Sequence, residues 1–227
     1  SNNVTLPFYA NDLNNWLTTT VLPQTLTRHK AATWNNRFVY VAGGYNGVSH
    51  SNAVYRATLK TSGISTWTTL GSMPVALSDQ ALVIGHNTIY VIGGRDDSSI
   101  YSTIYYATIN TNGTIGDWQT SSVSLPTGLW GHTAVYCNGY IYVAGGSDQL
   151  DDDSANDDVY YAKVLVDNTL SDFVATTSLP ESLNGHTMEI NGEEIFVLGG
   201  FEDGGTKVNT VYKTSSNADG SLNAWTT

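Results

Sequence analysis

Four short apolar runs, each stopped by a glycine pair, set the rhythm of this chain. They are Phe38-Val39-Tyr40-Val41-Ala42, Ile89-Tyr90-Val91-Ile92, Ile141-Tyr142-Val143-Ala144 and Ile195-Phe196-Val197-Leu198. The pairs that end them, Gly43-Gly44, Gly93-Gly94, Gly145-Gly146 and Gly199-Gly200, recur at intervals of 50, 52 and 54 residues. β-Branched and aromatic side chains over four or five positions, bounded by glycine, predict buried strands rather than helices. An aromatic stands three residues before the first glycine each time: Tyr40, Tyr90, Tyr142 and Phe196.

A second strand follows each pair, marked by Val54-Tyr55, Ile104-Tyr105, Val159-Tyr160 and Val211-Tyr212. A large aromatic then recurs at Trp67, Trp118, Phe173 and Trp225, with an aliphatic three residues ahead of it. Between the two lie turn pairs, Ser62-Gly63, Asn112-Gly113, Asp167-Asn168 and Asp219-Gly220. Pro74, Pro126 and Pro180 close the first three units, since proline offers no N–H to a ladder. A further short strand precedes each apolar run. It opens with Gly131-His132-Thr133 and Gly185-His186-Thr187 in two units, and Lys30 and Gln80 are read as the matching positions in the others. Each unit therefore predicts four antiparallel strands, one propeller blade.

A glycine doublet followed by spaced tyrosine and tryptophan resembles the kelch repeat. The resemblance covers about residues 24–227, with Phe173 departing from tryptophan. It implies an all-β propeller with full blades at 24–74, 75–126, 127–180 and 181–227, and a partial one at 1–23. In the partial unit, Leu13-Asn14-Asn15-Trp16 and Leu22-Pro23 repeat the outer-strand signature, and Tyr9 marks a strand before it. Both ends thus carry an outermost strand, so neither complements the other. This predicts a portion of a larger propeller of six or seven blades, or secondarily a five-bladed ring with one incomplete blade. Open blade edges then predict self-association.

Composition narrows the partners. A net charge of −11 with only 9 Lys+Arg disfavours nucleic acid and anionic membranes, which call for a basic surface. No stretch approaches the roughly 18–20 apolar residues of a membrane helix. The single cysteine, Cys137, has no disulfide partner in the chain and supports no cysteine-based zinc site. Low lysine, abundant Asn, Thr, Ser and Gly, and the Asn-x-Thr triplets at Asn3 and Asn112 predict an extracellular or cell-surface protein.

Candidate chemistry gathers in loops. The run from Asp148 to Asp158 holds the longest loop of its kind, and Asp148, Asp151, Asp152 and Asp153 are candidate Ca²⁺ ligands. The alternative is a solvated acidic loop. Propeller ligands sit at loops after the second strand and between blades, which nominates Arg28, Arg95, Asp96, Trp130, Glu202 and Asp203. Trp130 beside Arg and Asp suits a sugar by stacking and hydrogen bonding, or else packs between blades. His132 and His186 recur at one repeat position, which favours tying blades together over metal binding or catalysis. No hydrolase elbow, phosphate loop, dinucleotide fingerprint or zinc-protease motif occurs. The expected function is a non-catalytic scaffold binding a protein or glycan and needing no cofactor. The alternatives are a carbohydrate-active enzyme with carboxylates at the channel mouth, or a structural module of a larger surface protein.

Overall fold

The structure is a computed structural model describing residues 19–61 and 63–227. The expected N-terminal strand around Leu13–Trp16 and Tyr9 lies outside the described residues, as does Ser62. The apolar runs form strands, and each strand hairpins onto its neighbour. The first sheet holds β1 (Lys30–Trp34), β2 (Phe38–Ala42), β3 (Val54–Lys60), β4 (Gly63–Ile64) and β5 (Thr68–Thr69). The second holds β6 (Ala81–Gly85), β7 (Thr88–Ile92), β8 (Ile104–Thr108) and β9 (Gln119–Thr120). The third holds β10 (Thr133–Cys137), β11 (Tyr140–Ala144), β12 (Val159–Lys163) and β13 (Val174–Ala175). The fourth holds β14 (Thr187–Asn191), β15 (Glu194–Leu198) and β16 (Val211–Ser215), with one outer bridge from Lys213 to Thr226.

All strand pairs are antiparallel, and no helix occurs among the described residues. The sheets form a four-blade β-propeller arrangement with innermost strands β1, β6, β10 and β14 side by side in that order. Trp67, Trp118, Phe173 and Trp225 stand immediately before the outermost pairing positions. Those outer strands are only two residues long, because the chain soon turns toward the next blade.

Apolar faces of successive sheets close on each other. Tyr40, Ala42 and Val54 of the first sheet meet Leu82, Ile89 and Val91 of the second. Tyr90, Ile92 and Ile104 meet Ile141 and Val143. Tyr142, Ala144 and Val159 meet Met188, Ile195 and Val197. A twisted sheet with two apolar faces is stable only between such neighbours.

The aromatic three residues before each doublet has a second task. Tyr40 Oη donates to the Gly113 carbonyl at 2.9 Å, Tyr90 Oη to Asn168 at 2.8 Å, and Tyr142 Oη to Gly220 at 2.9 Å. Each acceptor is the turn residue of the following blade. Burial pushes the Tyr40 and Tyr142 phenols up to about 12, so they remain donors at neutral pH. Phe196 holds the same place in the last sheet and has no hydroxyl to donate. Tryptophan bonds run the other way: the indoles of Trp67, Trp118 and Trp225 donate to the carbonyls of Thr20, Gly71 and Thr177. The outer face of the fourth sheet leaves Leu198 and Val211 exposed as a cross-strand pair.

Tyr90→Phe removes one such bond and leaves the Asn168 carbonyl without its phenol donor. Urea unfolding is expected to show a loss of about 1 kcal/mol. An unchanged midpoint would mean that packing alone joins these blades.

Candidate functional site

Every innermost strand is entered through one four-residue corner. The corners are Leu26-Thr27-Arg28-His29, Leu77-Ser78-Asp79-Gln80, Leu129-Trp130-Gly131-His132 and Leu183-Asn184-Gly185-His186. Their second residues pair with the residue after each glycine doublet: Thr27 with Tyr45, Ser78 with Arg95, Trp130 with Ser147, and Asn184 with Phe201. The residue equivalent to Gln80, His132 and His186 is therefore His29, not Lys30. Lys30 lies one place inside β1, aligned with Ala81, Thr133 and Thr187.

The third corner residue is left-handed in all four units, with φ of 56° at Arg28, 57° at Asp79, 67° at Gly131 and 65° at Gly185. The resulting backbone links successive blades. Asp79 N–H donates to Arg28 O at 3.1 Å, Gly131 N–H to Asp79 O at 2.9 Å, and Gly185 N–H to Gly131 O at 3.0 Å. One step outward, Gly44, Gly94 and Gly146 donate their N–H groups to the carbonyls of Leu77, Leu129 and Leu183, each at 2.8 Å. A Cβ at Gly43 or Gly93 would lie 2.7 Å from the Leu77 or Leu129 carbonyl, which is why the doublets carry no side chain.

Two units place glycine at the strained corner, and two place Arg28 and Asp79 there. A side chain in left-handed backbone costs of order 1 kcal/mol or more. Both side chains reach the channel mouth, where they meet Arg95. Its Nε donates to Asp79 Oδ2 at 3.0 Å, and its Nη2 to Asp152 Oδ1 at 2.8 Å. Its guanidinium carbon lies 3.7 Å from the centroid of the Trp130 ring. Arg28 approaches Asp79 at 3.8 Å. Arg95 is only 7% exposed, so its charge is held almost out of water and needs a carboxylate partner, which the largely buried Asp79 supplies.

Trp130 is 5% exposed, carries Arg95 on its face, and donates its indole N–H to Gln149 O at 2.6 Å. It packs at the junction of blades and offers no free ring face to a sugar. The depression beside it, about 300 Å³, is lined by residues of all four blades, including Arg28, Lys30, Asp79, Arg95, Asn184 and Phe201. Arg28, Lys30 and Arg95 are three of the chain's 9 basic residues. Lys30 makes no ion pair among the described residues. Burial lowers its pKa, against an upward pull from Asp79.

Of the other nominated residues, Asp152 lines this depression, and Asp96 lines a larger one that shares Arg28 and Arg95 with it. Asp96 caps its own turn, accepting from Ser98 N, Ser99 N and Tyr101 Oη, and the Tyr101 bond lowers its pKa. Glu202 faces Glu181, whose carboxyl raises its pKa, while Asp203 accepts from Ala155 N. Asp151 accepts from Asp153 N, Asp148 from the Gln149 amide, and Asp152 binds Arg95. Among the described residues no group of three or more His, Cys, Asp or Glu side chains converges on one point. The calcium expectation therefore gains no supporting geometry from the acidic loop. That loop instead spans neighbouring blades, from Arg95 on one side to Asn184 and Gly204 on the other.

Sequence reasoning nominated Arg28, Arg95, Trp130 and, as a calcium ligand, Asp152, but did not nominate Asp79, Lys30 or Asn184. The signal was present: corners aligned on their leucines show charge at Arg28 and Asp79 where glycine stands at 131 and 185. Placing Lys30 opposite His132 hid it.

No protein-family model matches the chain, and no curated protein matches it. Solved structures do resemble it. The one titled "Structure of YjhT" superposes with a TM-score of 0.72 at 18% identity, over 90% of this chain and 66% of that one. The likeness is one of fold. This chain thus spans just under two thirds of YjhT's length.

Beneath the mouth two of the fourth corner residues tie blades together. Gln80 Nε2 donates to Ala42 O at 2.8 Å, and His186 Nε2 lies 2.7 Å from Thr133 Oγ1. Burial pushes His132 down to about 3 and His186 to about 4. Unfolded histidine titrates near 6.5, so between 6.5 and 4 the unfolded state binds protons that the folded state refuses. Stability is then full above pH 6.5 and falls with pH. The double substitution His132→Gln/His186→Gln, which repeats the side chain of Gln80 in both blades, is expected to flatten the slope of unfolding midpoint against pH between 6.5 and 5. The same slope in the double variant would assign the acid sensitivity elsewhere.

Proposed function

We propose that this chain is a binding scaffold of the kelch type that recognises a protein or glycan at its channel mouth. The observation that supports it is the pair of charged side chains, Arg28 and Asp79, at strained corners where the repeat elsewhere uses glycine. Strain retained against the repeat's own solution marks a position held for something other than folding. With Trp130 covered by Arg95, recognition proceeds through charge and hydrogen bonds rather than ring stacking.

The carbohydrate-active-enzyme alternative calls for an acid and a base free to face one cavity. Asp79 and Asp152 instead lie on the same guanidinium. The extracellular placement belongs to this proposal and is supported by composition and by exposed Asn112, whose side chain caps its own turn. Self-association through the outer face of the fourth sheet is likewise proposed, supported by exposed Leu198 and Val211.

Arg28→Gly separates binding from folding. It relieves the corner and removes only a long ion pair, so stability is expected to hold or rise by up to about 1 kcal/mol. Binding to the glycans or peptides that wild type retains on an array is expected to be lost. A variant that unfolds more easily and keeps its ligands would make Arg28 structural and overturn the proposal.

A further inference from the structure

We propose that Arg28, Lys30 and Arg95 form a carboxylate-binding site at the channel mouth, and that Asp152 is its built-in competitor. This rests on the channel mouth being the ligand-binding face. Two depressions adjoin there, of about 630 Å³ and 300 Å³. Arg28, Arg95 and Asp152 line both. The Arg95–Asp152 pair is thus the partition between them.

The two carboxylates on Arg95 are unlike. Asp79 sits on a corner fixed by backbone bonds on both sides, and its side chain is mostly buried. It sets the orientation of the guanidinium from the Nε edge. Asp152 comes from the long acidic loop, and its side chain is 69% exposed. It occupies the Nη2 edge, which faces the cavities. The Asp152 end of the pair lies open to water, so its carboxylate is exchanged readily while Asp79 keeps the guanidinium paired. A ligand carboxylate that takes the place of Asp152 inherits the Nη2 donor, keeps the Trp130 face behind the guanidinium, and gains Arg28 and Lys30 alongside. Moving Asp152 aside also joins the two depressions, giving the remainder of the ligand room among Tyr45, His50, Asn184 and Phe201. The strongly acidic remainder of the chain makes this basic cluster the surface where an anion would be held.

The loop carries its own reporter, since the Trp130 indole N–H donates to Gln149, three residues before Asp152. Wild type, Asp152→Asn and Lys30→Met are titrated with D-glucuronate at fixed ionic strength, following the Trp130 indole resonance. The methyl ester of glucuronate serves as the uncharged control. Asp152→Asn is expected to bind about threefold to fivefold more tightly than wild type, matching the loss of an ion pair that is open to water at its Asp152 end. Lys30→Met is expected to bind more weakly, and the ester not to compete. Asp152→Asn binding equally or more weakly would overturn the competitor role. Ester binding as strong as glucuronate would overturn the carboxylate site. Unfolding midpoints of each variant separate these results from misfolding. Loss of both effects, with array ligands still dependent on Arg28, would sink this inference and leave the binding proposal standing.

Discussion

The hydrogen bonds between corner residues are the constraint on which the rest of the molecule depends. Arg28, Asp79, Gly131 and Gly185 link one blade to the next by backbone alone, and the left-handed corners of Asp79 and Gly131 each give an N–H to one neighbour and a carbonyl to the other. The doublet amides of Gly44, Gly94 and Gly146 add a second rung to the leucine carbonyls. Buried backbone groups must find partners, and here they find them across blades. The innermost strands are thereby joined in a row, the first blade to the second, the second to the third and the third to the fourth.

Gln80 and His186 bond to the preceding blade, and His132 is buried at the same position of its own corner. The residue just before each of them is needed by the fold for its left-handed backbone, so a side chain there is carried at a cost. Two units leave it empty with glycine. The other two extend Arg28 and Asp79 over the mouth, and Asp79 fixes Arg95 against Trp130. Blade linkage and the chemistry of the mouth thus fall on adjacent positions of one short segment.

The fold was legible because each of its signals answers a local need. Glycine doublets mark close backbone approach, alternating apolar runs mark sheets buried on both faces, and Asn-Gly or Asp-Gly pairs mark turns. The tyrosines were visible as wedge-filling aromatics, but their hydroxyl bonds to the following blade join residues 73 to 78 apart and could not be read from one unit. The site was legible in part. Arg28, Arg95 and Trp130 fell in the right loops. Asp96 fell there too and proved to cap its own turn, since a loop position does not say where a carboxylate points. The acidic run suggested a cation by composition alone. The loop also pairs with Arg95, Asn184 and Gly204 of the neighbouring blades.

Native-state hydrogen exchange at the amides of Asp79, Gly131 and Gly185 tests the corner linkage most directly. If the corners lock the blades into one unit, all three amides exchange only through global unfolding, with equal free energies that fall together in denaturant. Three distinct and lower free energies would show blades opening independently. The corner bonds would then be a consequence of packing rather than its cause.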